Sequence, residues 1–425
     1  MIKKFLTHPV ITSSFLLFFA SFLTNVLNFF FSILVLKLLP LNDYGEYTSI
    51  FAYIYILSLP FSIFTLIIIK KVGSRSEKER LIFTFRLEKL LFYLARRYSW
   101  LITFLVVFLG LGLFWWSNFS YWYSCLFIAF SLVLGFFTHF YSAVFQGLKW
   151  LLLVSLMSMI FSSLKLLFSY FGINWHANLA VLLTVFFILG FCQFIVSWGF
   201  FWRKKKKLRI ININKHLISW SFFFQKDIFL IFFTTVGILG LVNFDLILAK
   251  KFLSPTEMSF YSLLSLFLRA VSFAFAPLIS AGYIFFTSKD NQSQQKKILL
   301  LFSSFFLFAG LIISVIYMLF GRELILLVAN EKYLVIKQFL PLASWGGLLY
   351  CLNWFFSQYF LAKSSILSLM VFLAIIFQIA ILYFFHQSFD ELFYWNFMVH
   401  LTTFIIYLLA FVNLLGRKFH FEFKV

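Results

Sequence analysis

Apolar runs long enough to cross a bilayer recur along the whole 425-residue chain. A spanning helix needs about 20 mostly apolar residues. Cutting at polar and charged breaks leaves about twelve such runs: 10–36, 46–70, 91–116, 120–147, 150–172, 177–202, 218–249, 257–286, 297–320, 333–361, 365–385 and 392–416. In hydrocarbon every backbone N–H and C=O must find a partner within the protein, which excludes open strands. The runs also exceed the roughly 9–11 residues of a barrel strand. The pattern predicts an all-α polytopic membrane protein.

Composition agrees. The chain is 63% hydrophobic and 12% charged, against about 45–50% apolar residues in soluble domains. The 68 phenylalanines read as the codon bias of an AT-rich genome. The basic N-terminus leads into an apolar run longer than the roughly 7–15 residues of a signal peptide, so a retained first span is expected. Cys125, Cys192 and Cys351 fall in apolar runs without metal spacing and read as packing residues.

The formal net charge is +21. In a soluble chain that would point to nucleic acid. Here the lysines and arginines crowd into short loops, 70–97 and 202–215 above all. Such asymmetry orients a membrane protein with its basic loops inside. It predicts a cell-membrane protein with both termini cytoplasmic and no nucleic-acid partner. The Arg-Lys run at 203–207 sets orientation first and is suited to anionic lipid headgroups.

The two halves resemble each other. LPLNDYGEY at 39–47 aligns without a gap with LSPTEMSFY at 253–261. A weaker match sets 155–172 against 368–385, with Lys165 opposite Gln378. A repeat of this kind predicts two six-helix lobes with a central cavity between them. The expected division is an N-lobe at 1–202, a basic cytoplasmic linker at 203–217 and a C-lobe at 218–425.

Several segments resemble one family. LKLLPLNDYGEYTSIFAY (36–53) is similar to its loop between spans one and two, and VFQGLKWLLLVSLMSMI (144–160) to its Gln-Gly-Leu turn between spans four and five. NFDLILAKKFLSPTEMSFYSLLSLFLRAVSFAFAPLIS (243–280) resembles its Asp-bearing span seven and tyrosine-opened span eight. LFGRELILLVANEKYLVIKQFLPLASWGGLL (319–349) matches the pattern leading into span ten. The family is the polysaccharide and oligosaccharide-lipid flippases of the MOP superfamily, which also holds multidrug exporters and lipid II flippases. The second-half loop departs from it, with Ser259-Phe260-Tyr261 lacking the usual glycine.

The resemblance implies alternating access around a cavity lined mainly by spans one, two, seven and eight. It implies a sugar or oligosaccharide on an undecaprenyl-like pyrophosphate, moved by a transporter with ion coupling; no Walker motif is visible in the sequence, so no ATP hydrolysis and no enzyme activity are expected. Membrane lipids and other polysaccharide-assembly proteins are the further expected partners, and no cofactor is expected. A pyrophosphate in a membrane needs fixed cations and donors. Arg269 and Lys165, with Asn28 and Asn25 in span one, are the substrate-binding candidates.

Asp245 lies in an apolar segment, where a carboxylate costs about 2.5–3.5 kcal/mol on insertion scales. It could pair with a lysine or Arg269, carry a coupling ion, or latch a gate. Glu46 at the mouth of span two, and His139 and His400 within spans, are the remaining ion-coupling or gating candidates. For these, interhelical hydrogen bonding is the competing reading. Two other functions fit the chain: a drug exporter of the same superfamily, and a polytopic glycosyltransferase or polysaccharide polymerase using the outer pair Asp390 and Glu391.

Overall fold

The computed structural model describes residues 9–73, 75–176, 178–207, 226–287 and 292–419. The expected linker therefore lies, from residue 208 on, outside the described residues, as do Lys3, Lys4 and the C-terminal Lys424.

All regular structure in the described residues is helical. The helices are α1 (Pro9–Leu38), α2 (Leu41–Leu57), α3 (Leu59–Gly73), α4 (Glu77–Arg97), α5 (Ser99–Ser117), α6 (Trp122–Gly147), α7 (Leu151–Trp175) and α8 (Leu179–Lys207). There follow α9 (Lys226–Gly240), α10 (Phe244–Phe252), α11 (Pro255–Thr287), α12 (Gln292–Leu319), α13 (Gly321–Val328), α14 (Leu340–Ala362), α15 (Met370–Phe384) and α16 (Phe389–Phe419). Short 3₁₀ helices, Glu331–Phe339 and Ile366–Leu369, lead into α14 and α15.

Among the described residues, nine helices are long and apolar enough to span a membrane, or up to eleven if each of two bent pairs counts as one span. Phe22–Leu38 is a further, shorter apolar helix. Each expected run meets helix, but two of them are broken. The pair α2–α3 bends by 45° at Ser58, just before Pro60, whose ring fixes φ and removes an amide donor. The pair α9–α10 bends by 46° across the turn Leu241–Asn243.

The expected third span also differs. Residues 77–97 form a separate helix, α4, of alternating charged and apolar residues. A capping box of Ser76 and Glu79 starts it. The Ser76 hydroxyl and amide hold the Glu79 carboxylate below its ordinary range. The apolar span proper is α5, of whose residues only Gly110 and Ser117 are buried. Its large side chains face outward, as lipid-facing residues do. Trp100 near its start and Trp115 and Trp116 at its end are all exposed, the placement of an interfacial aromatic belt.

By packing, the chain divides into two units: Met1–Asp43 with Tyr53–Trp220, and Tyr44–Ala52 with Ser221–Val425. The middle of α2, Tyr44–Ala52, thus groups with the second half of the sequence. In the first unit α1 lies along α7, α7 along α8, and α3 along α6. Its core gathers Val72, Phe85, Phe140, Tyr141, Phe145 and Phe201. Gly147 ends α6 directly against Val72, where a Cβ would stand 2.7 Å from the valine Cβ. The next turn places Lys149 at φ 63°, which completes the Gln-Gly-Leu turn between the two helices.

In the second unit α14 is the central helix, packed by α11, α12 and α16 and buried along most of its length. A helix that is apolar all round belongs in such a position. Gly237 and Gly240 on α9 face Val371 and Ile375 of α15 with no room for a Cβ. Small residues let helix backbones approach closely in membranes, where packing supplies much of the association energy.

Candidate functional site

The break between α9 and α10 organises the polar centre of the second unit. A bend in a spanning helix frees backbone carbonyls that must be satisfied inside the protein. Gln378 Nε2 donates to Leu241 O at 2.9 Å. Arg269 Nη2 donates to Val242 O and, at 3.3 Å, to Asn243 Oδ1. Asn243 Nδ2 in turn donates to Leu239 O at 2.6 Å. Two side chains from two other helices, and one from the turn itself, thus replace the missing ladder bonds.

Asp245 sits in the first turn of α10, 2% exposed. Its carboxylate faces the positive end of a short helix. Oδ2 accepts from Tyr261 Oη at 2.9 Å and from Asn396 Nδ2 at 3.2 Å. Asn396 Oδ1 accepts from Gln378 Nε2 at 2.7 Å, which links the carboxylate to the break. Asp245 Oδ1 and Gln378 Oε1 are buried without a hydrogen-bond partner. Asp245 makes no direct ion pair with Arg269 or a lysine among the described residues, although the Arg269 charge acts on the carboxylate through space. The arginine donates to a freed carbonyl, and the neighbouring Lys250 pairs with Glu46.

Lys250 Nζ lies 3.3 Å from Glu46 Oε2, with side chains only 6% and 1% exposed. Glu46 belongs to the Tyr44–Ala52 segment of α2 that packs in this unit. Beside it Gly45 abuts Ser259, where a Cβ would meet the serine hydroxyl at 2.9 Å. Thr48 Oγ1 and Ser262 Oγ share a hydrogen bond of 2.6 Å. The Gly-x-Tyr of the first repeat therefore needs its glycine because a residue of the second repeat stands against it.

In the first unit Lys165 of α7 donates to Asn28 Oδ1 of α1. Its ammonium lies 4.5 Å from the Phe31 ring centroid and 5.6 Å from that of Phe186. Nearby Thr24 and Ser158 hydroxyls bond at 2.9 Å. Asn25, one position along α1, makes no hydrogen bond among the described residues. Lys165 and Arg269 share one property: the hydrogen bonds they donate go to amide or carbonyl oxygens.

The other candidates are not gathered into these clusters. His139 on α6 is half-buried and makes no hydrogen bond among the described residues. His400 on α16 is fully buried, both ring nitrogens lack a partner, and its ring meets Tyr350 edge-on at 5.9 Å. Asp390 and Glu391 open α16, where Glu391 Oε2 accepts from Gln387 N at 2.9 Å. They cap a helix rather than face one another across a cleft. Among the described residues there is no cluster of His, Cys, Asp or Glu fit to hold a metal ion.

Sequence reasoning missed Asn396 and Tyr261 as partners of Asp245, Gln378 as the partner of Asn396, and the Glu46–Lys250 pair. The signal for the first group was present. Asn396 and Gln378 are amides within apolar runs, and such residues must find interhelical partners.

These features define a helical membrane protein with a broken span, and buried polar groups gathered at the break. The fold is shared with solved transporters. An inward-facing multidrug resistance MATE family transporter of the MOP superfamily superposes at TM-score 0.64 and 13% identity, covering 92% of this chain and 96% of that one. Lipid II flippase MurJ, in an inward closed conformation, superposes at TM-score 0.64 and 13% identity, covering 94% and 87%. An outward-facing MATE transporter gives TM-score 0.57 at 12% identity, covering 94% of each chain. At these identities the likeness is one of fold, and it is the fold that the sequence motifs predicted. No protein-family model matches the sequence, and no curated protein matches it.

Proposed function

We propose that the protein is a transporter of the MOP superfamily that flips undecaprenyl-pyrophosphate-linked oligosaccharide, or a similar lipid-linked unit, across the cytoplasmic membrane during polysaccharide assembly. It works by alternating access, with both termini cytoplasmic and two lobes divided near residues 203–217. The observation that supports an anionic substrate is the state of Lys165 and Arg269. A membrane-embedded cation bonded only to neutral oxygens keeps its charge for a ligand, and a pyrophosphate is such a ligand.

In this reading Arg269 has two tasks: it satisfies the α9–α10 break and offers its positive charge to the substrate. Asp245 carries the coupling ion. Its Oδ1 and the Gln378 Oε1 are unsatisfied acceptors, and an added cation or proton supplies what they lack. Glu46 and Lys250 act in gating, because an ion pair between α2 and α10 must part if these helices separate during the cycle.

The likeness to multidrug MATE transporters at TM-score 0.64 supports a second reading, export of a small molecule. Reconstitution separates the two. Purified protein in liposomes with a fluorescent undecaprenyl-pyrophosphate sugar is expected to move the label, faster with an ion gradient, and Arg269→Ala is expected to abolish the movement. Failure of every lipid-linked sugar tested, with folded protein, leaves the export reading.

A further inference from the structure

The first unit is short of carboxylates. Residues 89–226 contain no aspartate or glutamate, although lysines and arginines recur through them. The last turns of α4 open this stretch. The acidic residue just before it, Glu88, is buried and accepts from Tyr141 Oη of α6 at 2.8 Å. The opposite side of α4 is open. Lys89, Tyr93, Arg96 and Arg97 are all exposed, and their spacing of four, three and one residues puts them on one helix face. Two neighbouring arginines thus stand on a surface whose own stretch of chain offers them no carboxylate.

Ring contacts fix the level at which this face lies. Phe85 of α4 meets Phe201 of α8 at 4.8 Å. Phe92 stacks on Phe137 of α6 at 5.7 Å, and Phe137 meets Phe194 of α8 at 5.7 Å. α4 therefore runs antiparallel to α8, and its last turn stands beside the apolar part of α8 rather than beyond the end of that helix. Trp198 and Trp202 of α8 and Trp100 at the start of α5 are exposed nearby, which marks a membrane boundary. Arg97 is also held in place. Its Nη1 donates to Tyr93 Oη at 3.0 Å, and its Cζ lies 5.7 Å from the Tyr98 ring centroid. A guanidinium fixed in this way presents a planar fork, which matches the paired oxygens of a phosphate. At a bilayer boundary the phosphate within reach is that of a lipid.

We propose that the exposed face of α4 binds an anionic phospholipid of the surrounding bilayer, with Arg96 and Arg97 on its phosphate diester and Lys89 and Tyr93 beside them. The occupant is a resident lipid and not the transported substrate, because the face is open and carries none of the polar groups assigned to transport above. The inference goes beyond the proposed function and does not depend on what the protein moves. Charge complementarity carries it: a basic surface without carboxylates of its own, at the level where lipid phosphates lie.

The test uses the full chain, stripped of native lipid in a non-ionic detergent, with tritiated dioleoyl phosphatidylglycerol as the probe. Wild type is expected to bind it saturably, and to release it to unlabelled phosphatidylglycerol but not to phosphatidylcholine. Arg96→Gln with Arg97→Gln is expected to weaken binding about tenfold or more. Arg96→Lys with Arg97→Lys, which keeps the charge and loses the fork, is expected to recover part of it. Arg322→Gln with Lys332→Gln, exposed cations of the second unit, is expected to leave binding unchanged. Equal displacement by phosphatidylcholine, wild-type binding in the glutamine double variant, or an equal loss in the second-unit control overturns the proposal. Displacement by glycerol 3-phosphate at the same concentrations also overturns it, since the ligand is then a free phosphate ester. If the double variant does not fold, Arg97→Gln and Tyr93→Phe carry the test: each is expected to weaken binding severalfold, and wild-type binding in both overturns the proposal.

Discussion

Thr48 and Ser262 share a 2.6 Å hydroxyl–hydroxyl hydrogen bond, and they stand 214 residues apart in sequence. The same offset aligns LPLNDYGEY with LSPTEMSFY. Gly45 and Ser259, likewise equivalent in that alignment, are also in contact. Equivalent positions of the two aligned segments therefore lie side by side within one packing unit.

A covalent link at this point tests whether α2 and α11 must part for transport. Thr48→Cys with Ser262→Cys is expected to form a disulfide under mild oxidation, read as a mobility shift after internal cleavage. Flipping in liposomes is expected to stop on oxidation and return on reduction. Full activity in the cross-linked protein would exclude movement here.

The Glu46–Lys250 pair is nearly inaccessible to solvent. Removing one partner of a buried ion pair costs about 3–5 kcal/mol in proteins generally. Glu46→Gln is expected to lower thermal stability strongly. Glu46→Gln combined with Lys250→Met is expected to lose less than the two single changes added together. A thermal-melt double-mutant cycle in detergent measures this coupling, and additive losses would show that the pair contributes none.

Arg269 bonds carbonyls freed by the break before α10. Arg269→Ala leaves Val242 O unsatisfied, at a cost of about 1–3 kcal/mol for a buried group, and removes a cation from the polar centre. Both stability and flipping are expected to fall. Arg269→Lys is expected to restore more stability than transport, because a single ammonium can reach a carbonyl but cannot reproduce the planar fork. Equal recovery of both would assign the arginine a structural task alone.

Asp245→Asn keeps an acceptor for Tyr261 and Asn396 but removes the charge. The protein is expected to insert and fold, and any transport that remains is expected to lose its dependence on an ion gradient. Gradient-dependent flipping at wild-type rates in this variant excludes coupling at Asp245.

Gly240 lies where α9 meets Ile375 with no room for a Cβ. Gly240→Leu is expected to disrupt the packing of α9 on α15 and reduce the folded fraction recovered from membranes. Fluorescence-detected size-exclusion chromatography reads this directly, and a wild-type profile would show that the helices can separate at little cost.

The sequence by itself determined the helical class and most of the spans, but not the bends in two of them or the true start of the third. The reason is physical: hydrocarbon offers no partner to a backbone amide, so a long apolar run has one stable way to cross, and its length announces it. The sequence also exposed Asp245, Arg269, Lys165 and Glu46, since a charge in an apolar run stands out. Their partners were decided only in three dimensions. Asp245 took Tyr261 and Asn396, Lys250 took Glu46, and Arg269 took the carbonyls of a broken helix. Each choice depended on which helices packed together and where α9 bent. Packing in a membrane follows small-residue contacts and shape, such as Gly237 and Gly240 against α15, and neither the bend nor the contact leaves a periodic mark in the chain. Lys165 of α7 is of the same kind: its cation is set by Asn28 of another helix.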